Sequence, residues 1–378
     1  MPLKLTPRPS AVESIRGARR LSIEAVAIEA NIRPDLLTEI ETTPTDVSKR
    51  VAFSLASALA VPVQFLFAKN VKIDANMPDF RTANNRPAVL TSAGLTRIAR
   101  ARSIAAYLAD RAFEDCTKFA NTNSVTINQQ STAQKLLKSL YVPVHRPDGS
   151  VDPTLTFRET RVSLERKGII VLCDRVADPF RGFCYSPTGD FPIIFVNTTG
   201  QRPATKLFTL MHEVVHVLLG KTGVSDPAIL NNQVERFCNS VTASVMMPAE
   251  EFSQAYKRVA GRDPRAVVDI LSRRFGASKQ ASALRVSDLD LSKGFYGAWS
   301  ATLPSKIPMI EEEDEGEETS GGGGISSQIA RFGYLLPNML TAAVDSKAIS
   351  QFDAYRLTNL KPSTIKQIAA IGVNRLGP

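Results

Sequence analysis

Apolar side chains recur three or four positions apart along most of this chain, the spacing of helices that bury one face. In residues 9–67 the pattern predicts five short helices. Leu21-Ser22-Ile23-Glu24 opens one that runs through Val26 and Ala27, and Asn31-Ile32 makes a turn. Pro34 suits the first turn of the next, which runs through Leu37 and Ile40, and longer patterns follow over Val47–Leu59 and Val63–Phe67. Leu95–Phe119 reads as one long helix, Asn121–Ala133 as a polar loop, and Ala133–Leu140 as a further helix. From Phe157 the pattern changes. Thr160–Lys167 predicts a helix stopped by Gly168, and Ile169–Leu172 is a continuous apolar run of strand length. Arg181-Gly182-Phe183 begins a second strand, and Ile193–Asn197 forms a third.

Directly after this sheet comes TKLFTLMHEVVHVLLG, Thr205–Gly220. Leu207, Leu210, Met211, Val214, Val215, Leu218 and Leu219 keep helical spacing, and Gly220 is a fitting stop. On that helix His212 and His216 share one face, one turn apart, with Glu213 beside them. This HExxH spacing offers two imidazoles to a divalent metal and a carboxylate to take a proton from water. The chain has 3 histidines, so placing two of them here is informative. The third, His145, falls in a proline-flanked loop and reads as solvent-facing. A zinc site with an open catalytic position needs three protein ligands. Asn231–Met247 predicts the next helix, with Val234, Phe237, Cys238, Val241 and Val245 as its buried stripe and Pro248 as its end. Glu235 flanks that stripe, 19 residues after His216. It completes a set of two imidazoles and one carboxylate holding one Zn2+ per chain, with Mn2+ as the second candidate. Asn239, one turn further on, is placed to orient a histidine ligand through its other ring nitrogen. Tyr185 and Arg181 are the candidate oxyanion donors, beside what reads as an edge strand.

Composition adds bounds to this picture. The chain has 378 residues, 43% of them hydrophobic and 22% charged, as in ordinary globular domains. The longest apolar run, Leu55–Ala68, is broken by Ser57, Pro62 and Gln64 and is too short for a bilayer, so no membrane partner is expected. Cys116, Cys173, Cys184 and Cys238 form no CxxC pair and read as reduced thiols, which with a leaderless N-terminus predicts a cytoplasmic protein. The net charge of +9 is concentrated in the middle, where residues 71–150 carry 11 Lys/Arg against 6 Asp/Glu. Such a surface suits nucleic acid, an acidic protein face, or simple solvation. Glu311–Glu318 holds seven acids and is followed by Gly321–Gly324, a composition that buries nothing and predicts a linker. Beyond it, Ile349–Leu360 and Pro362–Ala369 predict a small helical tail.

Two resemblances follow from these motifs. LSIEAVAIEANIRPDLLTEIE resembles the XRE (Cro-type) helix-turn-helix family, with Ala27 at the small interhelical position and Ile32 after the turn. The face it would offer DNA carries Arg33, Asp35, Thr38 and Glu39, where carboxylates outnumber cations, with Arg16, Arg19, Arg20, Lys49 and Arg50 left for phosphates. DNA binding through Arg16, Arg19, Arg33 and Thr38, and docking of a protein or a second copy as a homodimer, therefore both stand. GIIVLCDRVADPFRGFCYSPTGDFPIIFVN, KLFTLMHEVVHVLLG and VERFCNSVTASVMMP resemble the ImmA/IrrE metallopeptidase family. That resemblance places the third ligand at Glu235 and implies a zincin fold, with cleavage of a protein substrate that is itself a helix-turn-helix repressor. The family usually has Ala before Asn in the third-ligand helix, where this chain has Cys238.

The expected fold is α+β and mainly α: a five-helix helix-turn-helix module (1–70), a helical connector (71–150), a zincin-like core with a small antiparallel or mixed sheet and helical cap (151–305), an acidic and glycine linker (306–324) and a helical tail (325–378). The expected function is a gluzincin-type zinc endopeptidase regulating gene expression. The competing readings are a DNA-binding regulator whose zinc domain senses and barely turns over, and an antitoxin-like component.

Overall fold

A computed structural model describes residues 4–19, 21–59, 61, 63–69, 91–109, 124–178, 180–186, 191–220, 223–225, 233–303 and 324–377. It is mainly helical with small sheets. By internal packing the chain divides into Met1–Ser103 with Val176–Pro179, and Ile104–Arg175 with Phe180–Pro378.

The first unit contains α1 (Pro9–Arg19), α2 (Ile23–Ala30), α3 (Pro34–Thr42) and α4 (Lys49–Ala58), followed by a 3-10 turn at Val63–Phe67. Ser22 caps α2 by accepting from Ala25 N at 3.1 Å, and Asn31 ends it in the left-handed conformation at φ 52°. Pro34 opens α3 without needing the amide it lacks. Val12, Ile15, Leu37, Ile40, Leu55, Leu59 and Leu66 fill the core between these helices. The expected helix over Val47–Leu59 begins two residues late. Val47–Ser48 instead forms a short strand, β2, antiparallel to β1 (Lys4–Leu5), and Ser48 caps α4.

The second unit starts within α5 (Ser92–Ala109) and continues with α6 (Gln130–Leu140) and α7 (Pro153–Glu165). The end of the expected Leu95–Phe119 helix, Cys116, and most of the acidic and glycine linker lie outside the described residues. α6 begins three residues inside the stretch expected to be loop. α7 is a full turn and more longer than expected, because its buried face carries Thr156, Thr160, Arg161 and Glu165 as well as Val162 and Leu164. Asp152 caps it, accepting from Thr154 N and Leu155 N.

A mixed four-stranded sheet follows: β3 (Ile170–Asp174), β4 (Gly182–Tyr185), β5 (Ile193–Asn197) and β6 (Gly223–Ser225), in the order β3-β5-β4-β6. β5 runs parallel to β3 and antiparallel to β4, with Leu172 opposite Phe195 and Cys184 opposite Ile194. β6 pairs antiparallel with β4, Gly182 facing Ser225. The edge strand expected near Arg181 and Tyr185 is not found there: β4 lies between β5 and β6, β5 lies between β3 and β4, and among the described residues the outer strands are β3 and β6. Against the sheet packs α8 (Pro203–Leu218), buried almost throughout, and against α8 packs α9 (Gln233–Met246). Val214, Val215 and Val217 are poor helix formers, so burial and not propensity holds α8 helical. α10 (Ala249–Val259), α11 (Pro264–Phe275), α12 (Lys279–Asp288) and α13 (Phe295–Ala301) extend the same core.

The tail consists of α14 (Ile325–Phe332), α15 (Leu335–Asp345), α16 (Gln351–Thr358) and α17 (Pro362–Leu376), two helices more than expected. α14 lies against the outer strand β3, and α17 against α7 and α15. Arg161 on α7 anchors it, donating to the carbonyls of Ile329 and Ala330 at 3.2 and 2.7 Å. Glu165 accepts from Tyr334 N at 2.9 Å. Gly333, at φ 66°, lets the chain pass, since a Cβ there would run into Glu165 Oε1. No helix among the described residues is long and apolar enough to cross a membrane.

Candidate metal centre

His212, Glu213 and His216 lie in the middle of α8, where the helix is sealed by β4, β5, α7 and α9. They are 0%, 0% and 3% exposed, so the apolar face that makes α8 fold also carries these polar groups out of water. Burying them is costly unless something compensates. Glu235, in the first turn of α9 and 6% exposed, is aimed at both imidazoles. Its Oε2 lies 3.1 Å from His212 Nε2, its Oε1 3.1 Å from His216 Nε2, and the two Nε2 atoms are 3.1 Å apart. The structure thus brings together His212, His216 and Glu235, nominated as a set by their spacing.

Electrostatics fit a cation at this point. Burial alone would raise the Glu235 carboxyl, but the hydrogen bonds and charges of His212 and His216 outweigh it and hold the pKa down at about 2. Burial pushes His216 below its ordinary value, with His212 adding to the effect and Glu235 opposing it. An ionised carboxylate beside two imidazoles, with His216 resisting protonation, is a donor set that suits a divalent metal. The Nδ1 atoms of both histidines are buried and have no hydrogen-bond partner among the described residues. The bond expected from one of them to Asn239 is therefore not made, and Asn239 sits half-buried one turn beyond Glu235.

Glu213 is held on its other side by the sheet. A Cβ built on Gly182 would come 2.9 Å from Glu213 Oε1, 2.7 Å from Thr209 Cγ2 and 2.9 Å from the Phe195 carbonyl. Gly182 is therefore what lets β4 approach α8 closely enough to enclose Glu213, a role that motif spacing does not reveal. A glycine inside an otherwise apolar strand is its available signal. A buried polar network fixes the same corner. Thr209 donates to Gln201 Oε1 at 2.9 Å, Gln201 Nε2 donates to the Arg181 carbonyl at 2.8 Å and to that of Asn197, and Asn197 Nδ2 donates to the Phe180 carbonyl at 3.0 Å. Arg181 thus contributes through its backbone, just before β4, while Tyr185 ends that strand opposite Ile193. Neither takes part in the contacts among His212, His216 and Glu235.

Cys238 follows Glu235 by three positions on α9 and is fully buried. It forms, with His212 and His216, a group whose candidate ligand atoms all lie within 4.8 Å of one another. Burial, with the charges of Glu235, Glu213 and Cys184, pushes its thiol well above the ordinary value.

The residues nominated for DNA contact belong to the other unit. Arg33 and Thr38 are exposed, and Thr38 bonds back to the Pro34 carbonyl. Arg16 is committed instead to a bidentate pair with Glu41, both bonds 2.7 Å, and to the Leu21 carbonyl. Arg19 is half-buried, and burial together with Arg102 lowers its pKa. His145 is exposed, as expected.

The family model described as Peptidase_M78, IrrE N-terminal-like domain, matches residues 164–287. The match spans the sheet and the helices from α8 to α12, stopping before α13, and supports a metallopeptidase-type domain. It extends neither to the N-terminal unit nor to the tail. No curated protein matches the chain.

Proposed function

We propose that this chain is a zinc-dependent endopeptidase in which His212, His216 and Glu235 hold the metal and Glu213 is the general base. The observation that carries this reading is the convergence of two Nε2 atoms and both oxygens of one carboxylate at 3.1 Å inside an otherwise apolar core. When bound, zinc supplies a Lewis acid that acidifies water and polarises a carbonyl. Glu213 takes the proton of the attacking water and returns it to the leaving amine, and its burial against Gly182 keeps bulk solvent from competing. The substrate is an extended segment adding to the outer edge of β6, because β6 is one strand removed from Gly182 and leaves β4 no edge of its own. A helix-turn-helix repressor remains the expected substrate and control of gene expression the expected outcome, in a cytoplasmic protein.

Glu213→Gln tests the enzyme. It should keep one zinc per chain and lose cleavage by a factor of about 100–10,000. Full cleavage by this variant would remove the general base, and with it the proposed mechanism.

The first unit favours a second role. α2 and α3, joined at Asn31, present Arg33 and Thr38 to solvent as a recognition helix would. With Arg16 paired to Glu41, DNA affinity rests on Arg33, Lys49 and Arg50 at the surface. Operator binding that weakens with salt and with Arg33→Ala supports this role. Binding unchanged by either leaves the unit as a docking or dimerisation module.

A further inference from the structure

Glu235 and Cys238 stand three positions apart on α9 and so point from the same side of the helix. Glu235 touches both imidazoles, and Cys238 places its sulfur within 4.8 Å of ligand nitrogens on both His212 and His216. The two histidines are at least nine-tenths buried, as is the cysteine. Glu235 and Cys238, both on α9, therefore each approach the same two imidazoles of α8. An inert buried thiol has apolar neighbours. Cys238 has such neighbours in the core, but it also has two imidazoles within reach, a setting that suits a sulfur ligand as well.

We infer that Cys238 is a fourth protein ligand of the metal, so that the resting centre is a closed set of two imidazoles, one carboxylate and one thiolate. The inference rests on the metal-binding reading above and adds to it. Zinc accepts imidazole nitrogen, carboxylate oxygen and thiolate sulfur, and four protein ligands complete its tetrahedral sphere. The thiol proton leaves to solvent as the sulfur–metal bond forms, and no electron changes hands. Two properties follow. The sulfur selects a thiophilic ion, zinc over manganese. It also fills the place water needs, so turnover requires Cys238 to swing away, and the centre is held shut in the absence of substrate.

Cobalt(II) titrated into the metal-free full-length chain reads this directly. Wild type should show a strong near-ultraviolet sulfur-to-cobalt charge-transfer band. Cys238→Ala and Cys238→Ser should both lose it while keeping the visible ligand-field bands. Chelator competition should show metal held at least about tenfold less tightly in both variants. A wild-type spectrum with ligand-field bands alone overturns the inference and leaves the three-ligand centre standing. A charge-transfer band that survives in Cys238→Ala also overturns it, since the sulfur then belongs to another cysteine. If no cobalt binds at all, the metal centre falls and this inference falls with it.

Discussion

Arg161 and Glu165 form a buried ion pair whose every polar atom has a partner, whereas His212, His216 and Glu235 turn their polar atoms on one another. Arg161 Nε donates to Glu165 at 3.1 Å, and its two terminal nitrogens reach the carbonyls of Val171, Ile329, Ala330 and Arg331. Glu165 also takes Tyr334 N and Leu335 N. Nothing further is asked of that cluster, and it serves to hold the tail helices against α7 and β3. In the other cluster two imidazole nitrogens and two carboxylate oxygens crowd within 3.1 Å contacts that one or two protons satisfy poorly. A satisfied cluster is a clasp. A convergent one is a place for a cation.

Substitution should separate the two sharply. The largest effect is expected from His216→Ala, which should abolish metal-dependent cleavage in a peptide assay while circular dichroism shows the metal-free chain still folded. Loss of the fold instead would mean the histidines are structural. Next comes Arg161→Ala, which leaves Glu165 buried without its cation and should cost about 3–5 kcal/mol in denaturant unfolding. Its zinc content should stay at the wild-type value. Gly333→Ala strikes the same clasp, and calorimetry should show a loss of roughly 3 kcal/mol from a residue forced into a glycine-only conformation against Glu165. Gly182→Ala sharpens the contrast from the other side. Its methyl would press on Glu213, so kcat should fall while the metal stays and stability drops by about 1–3 kcal/mol.

The smallest effect is a difference in sign. For Glu165 burial prevails over Arg161 and the two amides, and its pKa is raised above 4.5. Its contribution to stability is fully present below the unfolded value and is lost as pH rises through the folded one. For Glu235 the histidines prevail, and the folded value of about 2 lies below the ordinary 4.5. Its contribution is present above 4.5 and is lost as pH falls towards 2. In metal-free protein, Glu235→Gln should therefore flatten the acid limb of the stability curve, and Glu165→Gln should not. Equal slopes in chemical denaturation between about pH 2 and 5 would contradict the assignment of opposite roles.

The same contrast explains what is legible in the chain alone. α8, α9, β3 and β5 announce themselves because their buried residues are apolar, and the metal set because its spacing is local to two helices. The first half of α7 does not, since Thr156 looks like a surface residue until the Val144 amide is brought to it. Arg16 reads as a phosphate contact because Glu41, its partner, lies 25 positions away. Gly182 and Gly333 are visible as glycines, but what each makes room for comes from a distant element. β6 and the β1–β2 pair are two or three residues long, too short for any periodicity. Cys238 has the pattern of a packing residue until the fold sets it beside two imidazoles.

X-ray absorption at the zinc edge of the loaded, full-length protein tests the central claim most directly. The account predicts one bound zinc with two imidazoles at about 2.0–2.1 Å, a carboxylate oxygen and, with Cys238 bound, one sulfur at about 2.3 Å, and loss of that shell in Glu235→Gln. A shell of solvent oxygens, or one left intact by Glu235→Gln, would contradict it.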